Sequence, residues 1–316
     1  AAVVMGVKSG EVLALATCPT YDPTTFNRDY ESLSTDDRLP LFNRATDGVY
    51  APGSTFKLCT AVAALESGII TPTTTIRDQG VYTYYAYPQP KCWIYRQYGS
   101  THGSINVSQA ITESCNYFFY ETGRLTGIET IDNYATQFGL GRSTGIETGD
   151  SKGALASPEY AKANELEWTD GQTITAAIGQ SYNLFTPIQL ANYVATLVGD
   201  GEHYKAHLLK NVKSYDNSSM IYAYDEGPEN TVSISDSTLQ AVKEGMYGVA
   251  NSTLSSQFSR CIVTCGAKTG SAQVGTDIAN GTFVCFAPYD DPQIAVAVVI
   301  EKGGSGAALA STAVQV

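Results

Sequence analysis

What most constrains this chain is the placement of its strand-like runs, at the two ends with helical signals between. Residues 3–17 read as two strands joined by Lys8-Ser9-Gly10-Glu11, a hairpin. The last third is again β-like over 260–267, 281–287 and 293–301, the final two joined across Pro288 to Pro292. From about 54 to 200 the signals are helical. Asn106 is a predicted N-cap for a helix through Ile111, further helices are predicted over 117–125 and 129–138, and Thr186-Pro187 opens one to about Val198. A chain that begins and ends in strands satisfies both ends most simply in one antiparallel sheet with helices packed on it. The expected class is α+β.

At 316 residues, with no internal repeat or low-complexity linker, the chain is expected to form one domain spanning 1–316. Residues 18–53, 71–103 and 142–172 read as irregular, 203–235 as a few edge strands, and 236–250 as a helix. A net charge of −12 argues against nucleic acid, whose binders carry basic faces. The longest purely apolar run, 294–300, is too short to span a membrane, and no signal peptide is visible. Because the chain opens directly on a strand, it is expected to be a piece of a longer protein. Seven cysteines without a C-x-x-C pair give no disulfide framework, and Cys18, Cys59 and Cys285 are expected in the core.

Chemistry is concentrated at Pro52-Gly53-Ser54-Thr55-Phe56-Lys57. Pro52-Gly53 breaks the loop, so a helix begins at or just after Ser54, with Gly68 as its stop. Residues three apart share a helix face, which sets the Lys57 amine beside the Ser54 hydroxyl. A Ser three before a Lys is ordinary helix surface in most chains. Here Ser54 is the only such serine, and its helix is apolar. An amine becomes a base only when desolvated or set near another cation.

A second motif is Lys268-Thr269-Gly270-Ser271, at the end of a strand-like run. A lysine and two hydroxyls at a strand edge suit a carboxylate, and a glycine permits close backbone approach. A simple turn is the plainer reading. A third motif, S-x-N, has three candidates: Ser104-Ile105-Asn106, a helix cap; Ser181-Tyr182-Asn183, in a loop; and Ser114-Cys115-Asn116, between two helices. The last is chosen, because a turn there aims both side chains into a cleft.

These three motifs resemble those of penicillin-binding proteins and serine β-lactamases, and the chain resembles the transpeptidase domain of a class B penicillin-binding protein. Tyr21-Asp22-Pro23, Pro40-Leu41-Phe42-Asn43-Arg44-Ala45, Ala177-Ile178-Gly179-Gln180, Thr186-Pro187-Ile188-Gln189-Leu190-Ala191 and Phe286-Ala287-Pro288 extend the likeness over nearly the whole chain. The resemblance implies the penicillin-recognising serine transferase fold, with an all-helical subdomain beside the sheet. It implies a peptidoglycan DD-transpeptidase with Ser54 as nucleophile, Lys57 as its base and Ser114 as a proton relay. Asn116 would bind the peptide backbone, Lys268, Thr269 and Ser271 the terminal carboxylate, and the N–H groups of Ser54 and Ser271 the oxyanion. Stem peptides ending in D-Ala-D-Ala would be the substrates and β-lactams the inhibitors, with no cofactor required. The parent protein would be membrane-anchored, outside the cytoplasm, and would work with a wall-synthesis glycosyltransferase. A serine β-lactamase and a β-lactam-sensing receptor domain are the rivals.

Three points depart from the family pattern. Ser271 stands where Thr is usual. The C-terminal helix is expected to be missing or cut short, and the anchor and pedestal to be absent. Two further groups stand apart from the motifs. Cys92 and His102 lie before Ser114, and Cys261 and Cys265 before Lys268, so the four are candidates for a structural zinc site. Packed thiols and a capping imidazole are the plainer alternative. His203 and His207 have i, i+4 spacing but no Glu follows His203, so they are expected at the surface.

Overall fold

The computed structural model describes residues 1–87, 89–273 and 279–315. The N-terminal hairpin forms β1 (Ala2–Gly6) and β2 (Val12–Ala16), and the C-terminal strands are β3 (Gly266–Gln273), β4 (Ala279–Ala287) and β5 (Ile294–Ile300). They make one antiparallel sheet in the order β2-β1-β5-β4-β3. Val3 pairs with Ala297, so the two ends of the chain meet at the middle of the sheet.

Alternation along these strands sends side chains to two cores. Val3, Met5, Phe286, Ala297 and Val299 face the helices, while Val4, Phe283, Val296 and Val298 face Leu254, Phe258 and Leu309 on the other side. Two helices fill the main core. Helix α1 (Lys57–Glu66) is buried from Lys57 through Leu65, and α5 (Pro187–Val198) is buried along its whole length. A helix apolar on every side belongs inside. Around them lie α2 (Val107–Thr112), α3 (Asn116–Thr126), α4 (Ile128–Gln137) and α6 (Asp236–Gly248). The caps explain the sharp starts: Asn106 with Gln109, and Thr186 with Gln189, form reciprocal capping boxes, and Pro187 occupies the first helical position.

Several local expectations need correction. Residues 260–265 are not a strand, although Ile262, Val263 and Thr264 favour one. Opposite them β4 has ended at Ala287, before Pro288, so beyond a single bond from the Tyr289 N–H to the Thr264 carbonyl they have no strand to pair with, and Ile262 is fully exposed. The regions read as irregular contain helices Phe26–Ser34, Trp93–Tyr98, Pro158–Ala163 and Asp170–Ala176, and a strand pair joining Ile76–Asp78 to Gly103–Ile105. Cys18 is exposed, just past the edge strand β2, whereas Cys59 and Cys285 are buried. A short helix, Ala310–Gln315, follows the sheet.

Candidate active site

Ser54 lies in a single 3-10 turn, Gly53–Thr55, that runs directly into α1. The Thr55 hydroxyl donates to the Pro52 carbonyl at 2.9 Å and tightens this turn. Gly53 has φ +54°, and a Cβ there would lie 2.9–3.1 Å from the Ser271 backbone. Only glycine fits both demands. On the strand side, a Cβ on Gly270 would sit 2.5 Å from the Pro52 carbonyl oxygen. These two glycines bring the Ser54 turn and β3 into backbone contact.

Lys57 opens α1 and is fully buried. Its Nζ donates to the Asn116 Oδ1 at 2.6 Å and the Ser114 carbonyl at 2.8 Å, lies 3.4 Å from Ser114 Oγ, and stands 5.6 Å over the Phe119 ring. Burial pushes its amine down to about 8. Lys268, on β3, is equally buried and reaches the same hydroxyl from the other side, with Nζ 3.0 Å from Ser114 Oγ and 3.1 Å from the Thr269 carbonyl. Burial first, and the neighbouring Lys57 second, hold Lys268 far below the usual lysine range. Two buried amines that share one hydroxyl titrate as a pair.

Ser114 has φ +52°, a left-handed conformation that costs a non-glycine residue free energy. Lys57 bonds to its carbonyl and holds it there. Asn116 follows as the first residue of α3, whose N-cap is Cys115, with Sγ accepting from the Phe118 N–H at 3.4 Å. Thus the three motifs lie at one place: Ser54 and Lys57 on the α1 entry, Ser114 and Asn116 at the α3 entry, Lys268 on the edge strand. Thr269 and Ser271 are two apart and share the strand face opposite Lys268. Thr269 is half-buried and Ser271 exposed, and Ser271 Oγ accepts from the Gly306 N–H at 3.1 Å.

Behind Ser114 lies a cluster that the sequence reading caught only in part. Cys92 and His102 are joined by Asp78 and Cys115, not by Cys261 and Cys265. Cys265 shares the strand face of Ala267, away from Lys268, and packs in the second core near Cys285. Nearness in sequence to Lys268 therefore puts it on the wrong side of the sheet. Asp78 enters because it pairs with Gly103 across the small strand pair, one residue from His102. Its Oδ2 lies 2.8 Å from His102 Nδ1 and 3.7 Å from Cys115 Sγ, while Cys92 Sγ lies 3.6 Å from His102 Nδ1 and 3.8 Å from Cys115 Sγ. Trp93 closes the cluster by donating Nε1–H to the Glu113 carbonyl at 3.0 Å. No local pattern marks Asp78. Cys115 stood in plain view as the middle residue of S-x-N.

His203 and His207 are buried, contrary to the surface expectation. His203 Nδ1 meets Thr196 Oγ1 at 2.9 Å, and the His207 ring stacks on Tyr224 with centroids 3.5 Å apart.

Residues 1–315 match the penicillin binding protein transpeptidase domain, and the chain belongs to that family. It is 35% identical to the peptidoglycan D,D-transpeptidase MrdA of Escherichia coli K12 over 98% of its own length and 52% of that protein's. The chain thus spans about half the length of such curated relatives. Among solved structures it resembles Pseudomonas aeruginosa PBP2 in complex with WCK 5153, with a TM-score of 0.88 and 31% identity over 99% of this chain and 71% of that one. It also resembles a chain from a peptidoglycan synthase complex that coordinates polymerization and crosslinking, with a TM-score of 0.87 and 29% identity over 99% of this chain and 54% of that one. These neighbours carry the expected α+β fold. Among the described residues no helix is long and apolar enough to cross a membrane.

Proposed function

We propose that this chain is the acyl-transfer domain of a peptidoglycan D,D-transpeptidase. Ser54 Oγ attacks the carbonyl carbon of the penultimate D-Ala, and its proton passes to neutral Lys57. Ser114 relays a proton to the nitrogen of the departing D-Ala as the peptide C–N bond breaks. The ester left on Ser54 is attacked by an amine of a neighbouring stem peptide, which forms the cross-link and frees the serine. Asn116 holds the peptide backbone. Lys268, Thr269 and Ser271 hold the terminal carboxylate, with Gly270 as the close-approach residue. The N–H groups of Ser54 and Ser271 face the oxyanion. The carrying observation is the Lys57–Ser114–Lys268 arrangement: two buried amines at 3.4 and 3.0 Å from one hydroxyl. Burial favours a neutral Lys57, and the shared hydroxyl gives a proton a route between the two amines.

The parent protein, on this reading, is anchored in the bacterial membrane with this domain outside, beside a glycosyltransferase that polymerises the glycan. The MrdA likeness and the synthase-complex likeness support that placement. Intact-protein mass after incubation with benzylpenicillin tests the reaction. A single persistent adduct, absent in Ser54→Ala, is expected. An adduct that disappears while penicillin is consumed would make the domain a β-lactamase. Stable acylation without cross-linking of a stem-peptide donor and acceptor would make it a sensor.

The Asp78–Cys92–His102–Cys115 cluster further suggests a structural zinc ion, and the donor set fits one. Zn–S of about 2.3 Å and Zn–N or Zn–O of about 2.0–2.1 Å set tetrahedral edges of about 3.8 Å between sulfurs and about 3.5 Å from sulfur to the lighter donors. Three edges of the cluster match, with 3.8 Å between sulfurs, 3.6 Å from sulfur to nitrogen and 3.7 Å from sulfur to oxygen. The 2.8 Å hydrogen bond between Asp78 and His102 must open to an edge of about 3.3 Å to admit the ion. Zinc would supply a fixed anchor for the turn that carries Ser114 and Asn116. Metal analysis of protein purified without chelator is expected to give about one zinc per chain, and a ratio near zero removes the reading.

A further inference from the structure

The same cluster sets two thiols side by side, and their position carries a second consequence. We propose that Cys92 and Cys115 are an oxidisable dithiol, closing on reaction with peroxide to a disulfide that acts directly on the S-x-N turn. This rests on their geometry and, for its relation to metal, on the zinc reading above.

The two sulfurs are 3.8 Å apart and both side chains are fully buried, so each thiol has the other as its nearest redox partner. A disulfide requires about 2.05 Å, so closing the bond draws the sulfurs of these two N-cap residues together by about 1.8 Å. A surface cleft of about 570 Å³, with Gln109, Glu113 and Glu244 among its walls, reaches His102 of the cluster; neither cysteine lines it, so peroxide must pass His102 to meet the thiols. The remaining described cysteines are elsewhere in the fold: Cys59 lies on α1, Cys18 beyond β2, Cys265 and Cys285 belong to the second core, and Cys261 packs against that core.

The chemistry balances with hydrogen peroxide as the oxidant. One thiolate of the pair attacks a peroxide oxygen, the O–O bond breaks, a sulfenic acid forms and hydroxide leaves as water. The second sulfur attacks the first, the S–O bond breaks, and the hydroxide carries off the remaining thiol proton as a second water. Two thiols lose two electrons in all, and peroxide gains them.

The consequence for the site follows from what Cys115 touches. Its sulfur caps α3 by accepting from the Phe118 N–H at 3.4 Å and lies 3.7 Å from Asp78. Closing the disulfide draws it away from both. Cys115 stands between Ser114, held in a left-handed conformation by Lys57, and Asn116, whose Oδ1 accepts from Lys57 at 2.6 Å. A shift of Cys115 is therefore transmitted to both neighbours in the site. Metal and disulfide exclude each other, since a disulfide sulfur has no thiolate to offer.

The test uses the folded chain after chelation, with one equivalent of peroxide. A mass loss of about 2 Da is expected, and trypsin without reductant should join peptide 92–96 to peptide 97–124, released after Lys91, Arg96 and Arg124. Acylation by a fluorescent penicillin should slow by about ten- to a hundredfold and recover with reductant, and Cys92→Ser should show neither the mass loss nor the slowing. Sulfinic or sulfonic adducts without a linked peptide, in protein whose circular dichroism is unchanged, would overturn the proposal. So would a linked peptide that leaves acylation unaltered. Metal content is read separately: a linked peptide in protein that never binds zinc removes the zinc reading and keeps the dithiol. Tight zinc binding with no linked peptide after chelation does the reverse.

Discussion

The sharpest prediction concerns the protonation of Lys57. Burial pushes its amine from the ordinary 10.5 down to about 8. At 1.36 kcal/mol per pKa unit, that difference is about 3 kcal/mol in favour of the neutral amine. At pH 7 roughly one chain in ten then carries a neutral Lys57, against roughly one in three thousand for an exposed lysine. If neutral Lys57 takes the Ser54 proton, acylation rises about tenfold between pH 6 and 7 and levels off above about pH 9. Arginine at this position keeps its proton at every accessible pH. Lys57→Arg should therefore retain less than about a few per cent of wild-type acylation, without the rise. The assay is pseudo-first-order acylation by a fluorescent penicillin, quenched at intervals, from about pH 5.5 to 9.5. A flat wild-type profile between about pH 6.5 and 9, or an arginine variant that acylates at a tenth of the normal rate or more, would refute the assignment.

Other consequences are open to equally direct measurement. Gly270→Ala places a methyl 2.5 Å from the Pro52 carbonyl oxygen, so β3 and the Ser54 turn must part; acylation should fall about a hundredfold with little change in thermal midpoint, and a loss under threefold would contradict the contact. Lys268 is held below its usual range by burial and by Lys57, and an arriving carboxylate favours its charged form. Calorimetry of a non-reacting carboxylate ligand on Ser54→Ala, in buffers of different ionisation enthalpy, should thus report net proton uptake near pH 7; none would mean the lysine is already charged. His203 is buried and its folded-state value lies at about 4, below the unfolded value near 6.5. The unfolded chain therefore binds this proton first, and stability present above about pH 6.5 is lost as pH falls toward 4, by up to about 3 kcal/mol. Urea titrations at several pH values should show a shallower loss in His203→Gln, and identical slopes would dismiss the effect.

The parts of this fold that were legible in the sequence are those whose signals are local. The Lys8-Ser9-Gly10-Glu11 turn marked the N-terminal hairpin, and the Asn106 and Thr186 caps marked α2 and α5. Helix Phe26–Ser34 escaped because it buries no residue and has no side-chain cap, so it leaves neither a periodic core stripe nor a start signal. Pro158–Ala163 did carry one: Ser157 caps it and Pro158 stands at its first position. Residues 260–265 misled because propensity is a property of the residues, whereas a strand needs a partner. In the site, motif spacing brought Ser54, Lys57, Ser114, Asn116 and Lys268 to one place. It could not supply Asp78, which reaches His102 through a strand pairing across an intervening loop.

The sheet's strand order also sets when the site can exist. β1 pairs with β5, and their partner residues lie almost the whole chain apart, at Ala2 and Val298. Contacts this distant in sequence are late and entropically costly to close. A chain emerging N-terminus first therefore carries Ser54 and its helix into solution long before β3 is available to meet them. Until the last strands arrive, Lys57 lacks the sheet that completes its burial and keeps the basicity of an ordinary lysine. On the proposed reading of Ser54 as nucleophile, the completion of folding is what switches it on, and a partly made chain is not acylated.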